Sequence, residues 1–387
     1  MIADVNQTAL VQDLANMIRI PSCNPFGTPR EGPPAEAAMA AYLMTRMREL
    51  GLEVDSHEVL PGRRNVWGRL RGTGHGPTLA LAGHMDTVGV DGYDAPFDPI
   101  VRDGNIYGRG SCDMKAGLAA YLEVVRLIQA SDRPLSGDLL LIFVVDEEHA
   151  MDGSLFYGKH GPAADFTLVA EPSNLAICPA HRGQICFGLK TKGRSTHSSM
   201  PENGINAIYH MTKVIAAIEA YATALSTRTP HPLCGLPTSI VGTIKGGLNV
   251  SSVPDWCEIE VDRRTIPGET QESVMAEFRE LIKTLRADIP ELDIEETPSS
   301  PQVPPLSTPQ DSALVTSVQG ACTRVLGRAS PILPFPGSTD APNFQGASLI
   351  CGPGDLAQCH SLNEYVAIDE IVDAVRIYEH TLRNLQS

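Results

Sequence analysis

The chain has 387 residues, room for two domains of ordinary size, and 42 % of them are hydrophobic, enough for a sizeable core. Lys plus Arg is 30 and Asp plus Glu is 46, so the formal net charge of −16 argues against nucleic acid or an anionic membrane as partner. No run approaches a membrane span, the N-terminus lacks signal-peptide regions, and the nine scattered cysteines include no Cys-x-x-Cys pair, so a cytoplasmic protein with reduced thiols is expected.

Residues 3–19 are expected to form a first helix, with Leu10, Leu14, Met17 and Ile18 on one face. The Pro- and Gly-rich stretch 21–34 reads as a loop, and 35–50 as a second helix stopped by Gly51. Strands are expected over 52–59, 65–70 and 78–82, with a short one at 105–107. Asp113 reads as the N-cap or first-turn acid of a helix over 114–129. The continuous apolar runs at 139–145 and 166–170 have the character of buried strands. Strands alternating with helices predict an α/β fold with a sheet covered on both faces.

After about residue 183 the pattern changes. A partly alternating strand at 185–191 is followed by a helix at 205–225, strands at 239–245 and 255–262, and a helix at 272–287. This order predicts a compact α+β insert with an antiparallel sheet. The Pro-rich stretch 297–309 reads as the linker back, followed by a helix at 311–327, a strand at 348–351 and a closing helix at 368–385.

Side chains suited to a metal stand at the ends of separate expected strands. His84 closes the run Thr78-Leu79-Ala80-Leu81-Ala82-Gly83, and Asp86 lies two residues on. In extended chain these two share a side, so the carboxylate can hold the second ring nitrogen and leave the first for a cation. Glu147 and Glu148 follow the run 139–145, Glu171 follows 166–170, and His360 follows the strand at 348–351. Asp113 stands at a helix entrance. Ligands collect outside the carboxyl ends of strands in an open α/β sheet, and zinc accepts both imidazole nitrogen and carboxylate oxygen. The residues alone do not say which of Glu147 and Glu148 faces a metal.

The motifs Gly-His-Met-Asp-Thr-Val (83–88), Gly-Arg-Gly-Ser-Cys-Asp-Met-Lys-Ala-Gly (108–117), Asp-Glu-Glu (146–148), Ala-Glu-Pro (170–172) and Cys-His (359–360) together resemble the M20 family of metallopeptidases and deacylases. Within it the nearest resemblance is to the acetylornithine deacetylase and succinyl-diaminopimelate desuccinylase group. The resemblance implies a zinc-peptidase-like catalytic domain, a mixed sheet covered by helices, over 1–183 and 301–387. An α+β lid or dimerisation domain over 184–300 would interrupt it. Two divalent metal ions are implied, zinc first, with cobalt or manganese also suited to such ligands. His84 and Glu171 would bind one ion and Glu148 and His360 the other, with Asp113 bridging. Asp86 would orient His84, and Glu147 would be the general acid/base.

The same resemblance makes His197 a lid histidine that reaches an active site across a homodimer. Arg263 would hold the substrate carboxylate, with Arg264 as its rival, because strand alternation turns only one of them inward. Asn249, and Ser338 and Thr339 in the stretch 337–341, would line the substrate pocket. Cys112 and Cys359, beside two of the ligands, read as packing residues. The implied activity is hydrolysis of the amide bond of an N-acyl amino acid or related small carboxylate. A dipeptidase or aminopeptidase with the same metals is the alternative reading, and a non-catalytic dimeric binding protein the third.

Overall fold

The computed structural model describes residues 4–27 and 36–387, without the side chains of 300 and 301. Of the loop expected over 21–34, residues 28–34 lie outside the described residues. The chain divides into two compact units, one of Met1–Ala180, Leu306–Phe335 and Thr339–Ser387, the other of His181–Pro305 with Pro336–Ser338.

The first unit runs α1 (Gln7–Ile18), α2 (Ala37–Glu49), β1 (Glu53–Leu60), β2 (Arg63–Leu70), β3 (Leu79–His84), β4 (Ile100–Arg102) and β5 (Asn105–Tyr107). It continues with α3 (Lys115–Gln129), β6 (Leu139–Val144), α4 (Asp152–His160), β7 (Phe166–Pro172) and β8 (Ile177–His181). The second unit holds β9 (Gly183–Lys192), α5 (Ala207–Leu225), β10 (Thr238–Gly246), β11 (Trp256–Thr265), α6 (Gln271–Asp288) and β12 (Asp293–Val303). The return to the first unit adds β13 (Leu306–Ser307), α7 (Ala313–Leu326), β14 (Ile332–Phe335), β15 (Ala347–Gly352), β16 (Tyr365–Ala367) and α8 (Ile368–Leu385).

Among the described residues, the main sheet of the first unit has the order β1-β2-β6-β3-β7-β15-β8-β13, with β14 against β8. Its centre is parallel, β3 pairing with β6 and β7 and β15 with β7, while β1, β2 and β8 join antiparallel. Every residue of β3 and β6 is buried. That is why Leu-Leu-Leu-Ile-Phe-Val shows no polar alternation: a central strand covered on both faces has no wet side. Helix α3 seats on β3 and β7, α1 and α8 pack against α3, and α7 packs against α8 and β15. The seat of α3 depends on Gly117, where a Cβ would come within 2.5 Å of the Ala170 Cβ.

Local chemistry moved several expected boundaries. Helix α1 starts at Gln7 because the Asn6 side chain accepts the Ala9 N–H at 3.1 Å and caps it. Asp113 does not cap α3: the capping position falls on Met114, with no side-chain bond. Residues 297–303 of the expected linker are strand, since β12 reaches Val303 and pairs antiparallel with β9, with an irregularity between Pro298 and Gln302, and the return to the first unit comes at Leu306. Proline is tolerated there because β12 lies at the edge of its sheet.

In the second unit the antiparallel order is β10-β11-β9-β12. Strand β11 alternates, burying Cys257, Ile259, Val261 and Arg263. Cys257, Ile259 and Val261 join a core with Phe187, Met211, Val214, Val274 and Phe278, in which the rings of Phe187 and Phe278 meet edge-on at 4.6 Å.

Candidate metal centre

Register brings the first pair of candidate ligands together. Ala82 pairs with Val169 across β3 and β7, so two residues further on His84 and Glu171 stand side by side at the carboxyl ends. On the other side of β3, His84 pairs with Val144, and the turn that follows β6 carries Asp146, Glu147 and Glu148. Asp113 enters from the loop before α3, and His360 from the loop after β15.

Two groups of potential metal ligands result, His84 with Asp113 and Glu171, and Asp113 with Glu148 and His360. In each group the ligand atoms lie within 4.8 Å of one another. Asp113 belongs to both and divides its oxygens between them. Its Oδ1 is 3.1 Å from His84 Nε2, and its Oδ2 is 3.5 Å from His360 Nε2. Glu171 Oε1 lies 3.7 Å from His84 Nε2, and Glu148 Oε2 lies 3.2 Å from His360 Nε2.

The donor set fits divalent cations. His84 Nδ1 donates to the Asp86 main-chain carbonyl at 2.9 Å, which leaves the Nε2 lone pair for a ligand bond. Glu171 Oε1 is buried with no hydrogen-bond partner. Burial pushes the His84 imidazole down, but the Glu171, Asp113 and Glu147 carboxylates outweigh it and hold it well above the ordinary range. Burial raises Asp113, and hydrogen bonds from His360 and His84 overcome that and hold it below its ordinary value. Hydrogen bonds to Asp113 and Glu148 push His360 up to about 10. Burial, with neighbouring carboxylates, raises Glu147, Glu148 and Glu171. So much crowded carboxylate calls for positive charge, and two imidazoles with three carboxylates are a set that zinc-like ions accept.

The surroundings correct one expectation. Asp86 holds His84 through its carbonyl, and its carboxylate is 3.7 Å from the ring nitrogen. Strand β3 stops at His84, so the extended geometry that would place both side chains together ends there. The Asp86 carboxylate instead accepts the backbone N–H groups of Glu147 and Glu148 at 3.2 and 3.1 Å and the Asn24 side chain at 2.8 Å. Buried Asn24 also donates to Asp146, which pairs with Arg63 at 2.8 Å. The Cys112 and Cys359 sulfurs pack 4.0 Å apart.

Sequence reasoning missed Asn24, Asp340 and Glu364. Asn24 lies in a loop without a motif, and Asp340 in the stretch singled out for Ser338 and Thr339. Asp340 is buried, and burial, with Asp86 and Asp146 near, pushes it up to about 7. Glu364 lies four residues after His360 and binds the loop that carries Asp113.

His197, Asn249, Arg263 and Ser338 belong to the second unit. His197 is exposed, its Nδ1 2.7 Å from the Ser199 hydroxyl, and exposed Asn249 accepts the Ser251 N–H at 2.9 Å. Strand β11 extends past Arg263, which is fully buried and donates to Tyr221, to the Arg264 carbonyl and to Glu269 at 2.5 Å. Arg264 is partly exposed and pairs with Asp262 at 3.1 Å. The Ser338 hydroxyl donates to the Arg182 carbonyl at 3.3 Å. Thr339, in the first unit, is buried and accepts the Ala341 N–H at 3.2 Å.

The signature of peptidase family M20/M25/M40 matches residues 80–384. The chain is 30 % identical over 337 residues to an acetylornithine deacetylase of Aliivibrio salmonicida, covering 85 % of this chain and 86 % of that one. It is 32 % identical over 334 residues to the acetylornithine deacetylase of Yersinia pseudotuberculosis, covering 82 % and 83 %. Among solved structures, an aminopeptidase PepT from Bacillus cereus shares the fold with a TM-score of 0.79 at 21 % identity, over 99 % of this chain and all of that one. With its ligand groups at the strand ends and these relatives along nearly its whole length, the chain belongs to peptidase family M20/M25/M40 and is a metal-dependent amide hydrolase.

Proposed function

We propose that the protein uses two divalent metal ions to hydrolyse the amide bond of an N-acyl amino acid or a related small carboxylate. The observation that carries this reading is the division of Asp113 between two ligand groups. His84 and Glu171 would hold one ion and Glu148 and His360 the other, with one oxygen of Asp113 for each. Zinc suits this donor set first, and cobalt or manganese next. When bound, such ions supply Lewis acidity for the scissile carbonyl and make water a stronger nucleophile at neutral pH.

The chain supplies the rest. Glu147 stands on the turn that also carries Glu148, and its raised proton affinity suits a group that takes a proton from the attacking water and passes it to the leaving nitrogen. Asp86 holds the N–H groups of that turn. By resemblance, His197 steadies the oxyanion from the partner subunit of a homodimer, and Asn249, Ser338 and Thr339 line the substrate. Arg263 reaches a substrate carboxylate in this scheme only by exchanging Glu269 for it, one carboxylate for another on the same guanidinium. The homodimer reading is supported by edge strand β10, which exposes Ile240 and Ile244, and by exposed Leu248, Val250 and Tyr209 in the same unit. The deacetylase relatives support acyl amino acids as the substrate class. No helix among the described residues is long and apolar enough to cross a membrane, and all nine cysteines are free, in keeping with a place in the cytoplasm.

Glu147→Ala tests the reaction. The variant should keep its metal by elemental analysis while kcat on acetyl, succinyl and formyl amino acids falls by about 10²–10⁴-fold. An unchanged kcat removes Glu147 from the mechanism, and wild-type turnover confined to dipeptides favours the peptidase reading.

A further inference from the structure

The metal centre needs Asp113 to present one oxygen to each ligand group, yet the start of α3 gives it no cap to hold it there. The loop before it is gripped by Glu364. The Glu364 carboxylate is fully buried and takes four donors. One oxygen accepts Arg109 Nη1 at 2.6 Å and the Gly110 N–H at 2.9 Å. The other accepts the N–H groups of Cys112 at 2.8 Å and of Asp113 itself at 3.0 Å.

The main chain fixes this grip. Strand β16 pairs with β5 so that Tyr365 faces Tyr107, and the Gly108 N–H donates to the Glu364 carbonyl at 3.1 Å. Glu364 is therefore set against the loop 108–113 by the register of a sheet. In the other direction it is joined by a short turn to His360, whose φ of 62° lies in the left-handed region that non-glycine residues adopt at a cost. The Ser361 N–H donates to the Gln358 carbonyl at 3.3 Å, and the Asn363 N–H to the Ser361 hydroxyl at 3.4 Å. One carboxylate thus ties the backbone of Asp113 to the segment that presents His360.

We propose that Glu364 is a positioning residue for the Asp113, Glu148 and His360 group, and that both of its carboxylate oxygens are required for that group to hold a divalent cation. The proposal rests on the two-metal reading above. A glutamine offers one accepting oxygen, and its amide nitrogen would face two of the four donors. Those two donors lose their acceptor, and the loop that carries Asp113 relaxes.

The test compares full-length wild type with Glu364→Gln, each stripped of metal and titrated with Zn²⁺ against a chelator and with Co²⁺ by absorption spectroscopy. Wild type should take up two ions. The variant should bind the second ion about 10–100-fold more weakly and shift the Co²⁺ absorption bands of the second equivalent. The lost acceptor lowers its metal-free thermal midpoint as well, so positioning is separated from a structural role by the ions: the first should still be held far better than the second. Titrations and bands identical to wild type overturn the proposal. If Glu364→Gln does not fold, Glu364→Asp, which keeps the charge but draws the oxygens back, is titrated in the same way. Failure of both to fold without metal makes the residue structural and also overturns the proposal. Wild type that does not take up two ions overturns the two-metal reading, and this proposal with it.

Discussion

A histidine offers one nitrogen to a cation cleanly only when the other is held by an acceptor. For His84 that acceptor is the Asp86 carbonyl, while the Asp86 carboxylate secures the N–H groups of Glu147 and Glu148. The division of labour gives a specific expectation. Asp86→Ala keeps the ring hydrogen bond, because a main-chain carbonyl is untouched, but frees the turn that carries Glu147. Turnover should fall by about 10–100-fold, and the ion at the Glu148 group should weaken while the ion at the His84 group is kept. A variant that loses the His84 ion first, measured by competition with a chelator, would return the carboxylate to the role of ring partner. His84 and Asp86 were legible from their spacing. Which atom of Asp86 does the holding was not, because the strand ends between them.

Elements place the ligands as much as the side chains do. The loop that carries Asp113 runs into helix α3, which lies close on β7, and that approach runs through Gly117 against Ala170, the residue before Glu171. Gly117→Val should cost about 1–3 kcal/mol in urea unfolding and weaken metal binding, since both ligand-bearing elements must shift. Gly320→Ala in α7 is the control. There the new Cβ meets only the Asn384 amide at 3.8 Å, and helix propensity predicts a gain of up to about 1 kcal/mol. The long apolar strands and the closing helix α8 were readable from composition and period. Strand β12 was hidden by its prolines, which an edge position tolerates, and the short strands β8 and β14 carried too few residues for any period to show.

At the scale of the whole molecule, the proposed dimer makes the edge strand β10 a functional surface. Ile244→Lys should give a monomer by sedimentation equilibrium with unchanged circular dichroism, and turnover should fall with it, because His197 would no longer reach a partner. A mixture of Glu147→Ala and His197→Ala chains should recover turnover that neither has alone. No recovery would place His197 in its own subunit's site.

Taken alone, the sequence determined the α/β class, the family motifs and the metal-suited side chains at the ends of separate elements, without deciding between Glu147 and Glu148. These follow from periodicity and from motifs a few residues long, which are local properties of the chain. Tertiary structure alone decided which oxygen of Asp113 faces which ligand group, that Arg263 is already paired, and that Glu364 grips a loop 251 residues away from it along the chain. Each of these depends on strand register or on contacts between segments far apart, and no local pattern encodes which distant carboxylate a given N–H will find.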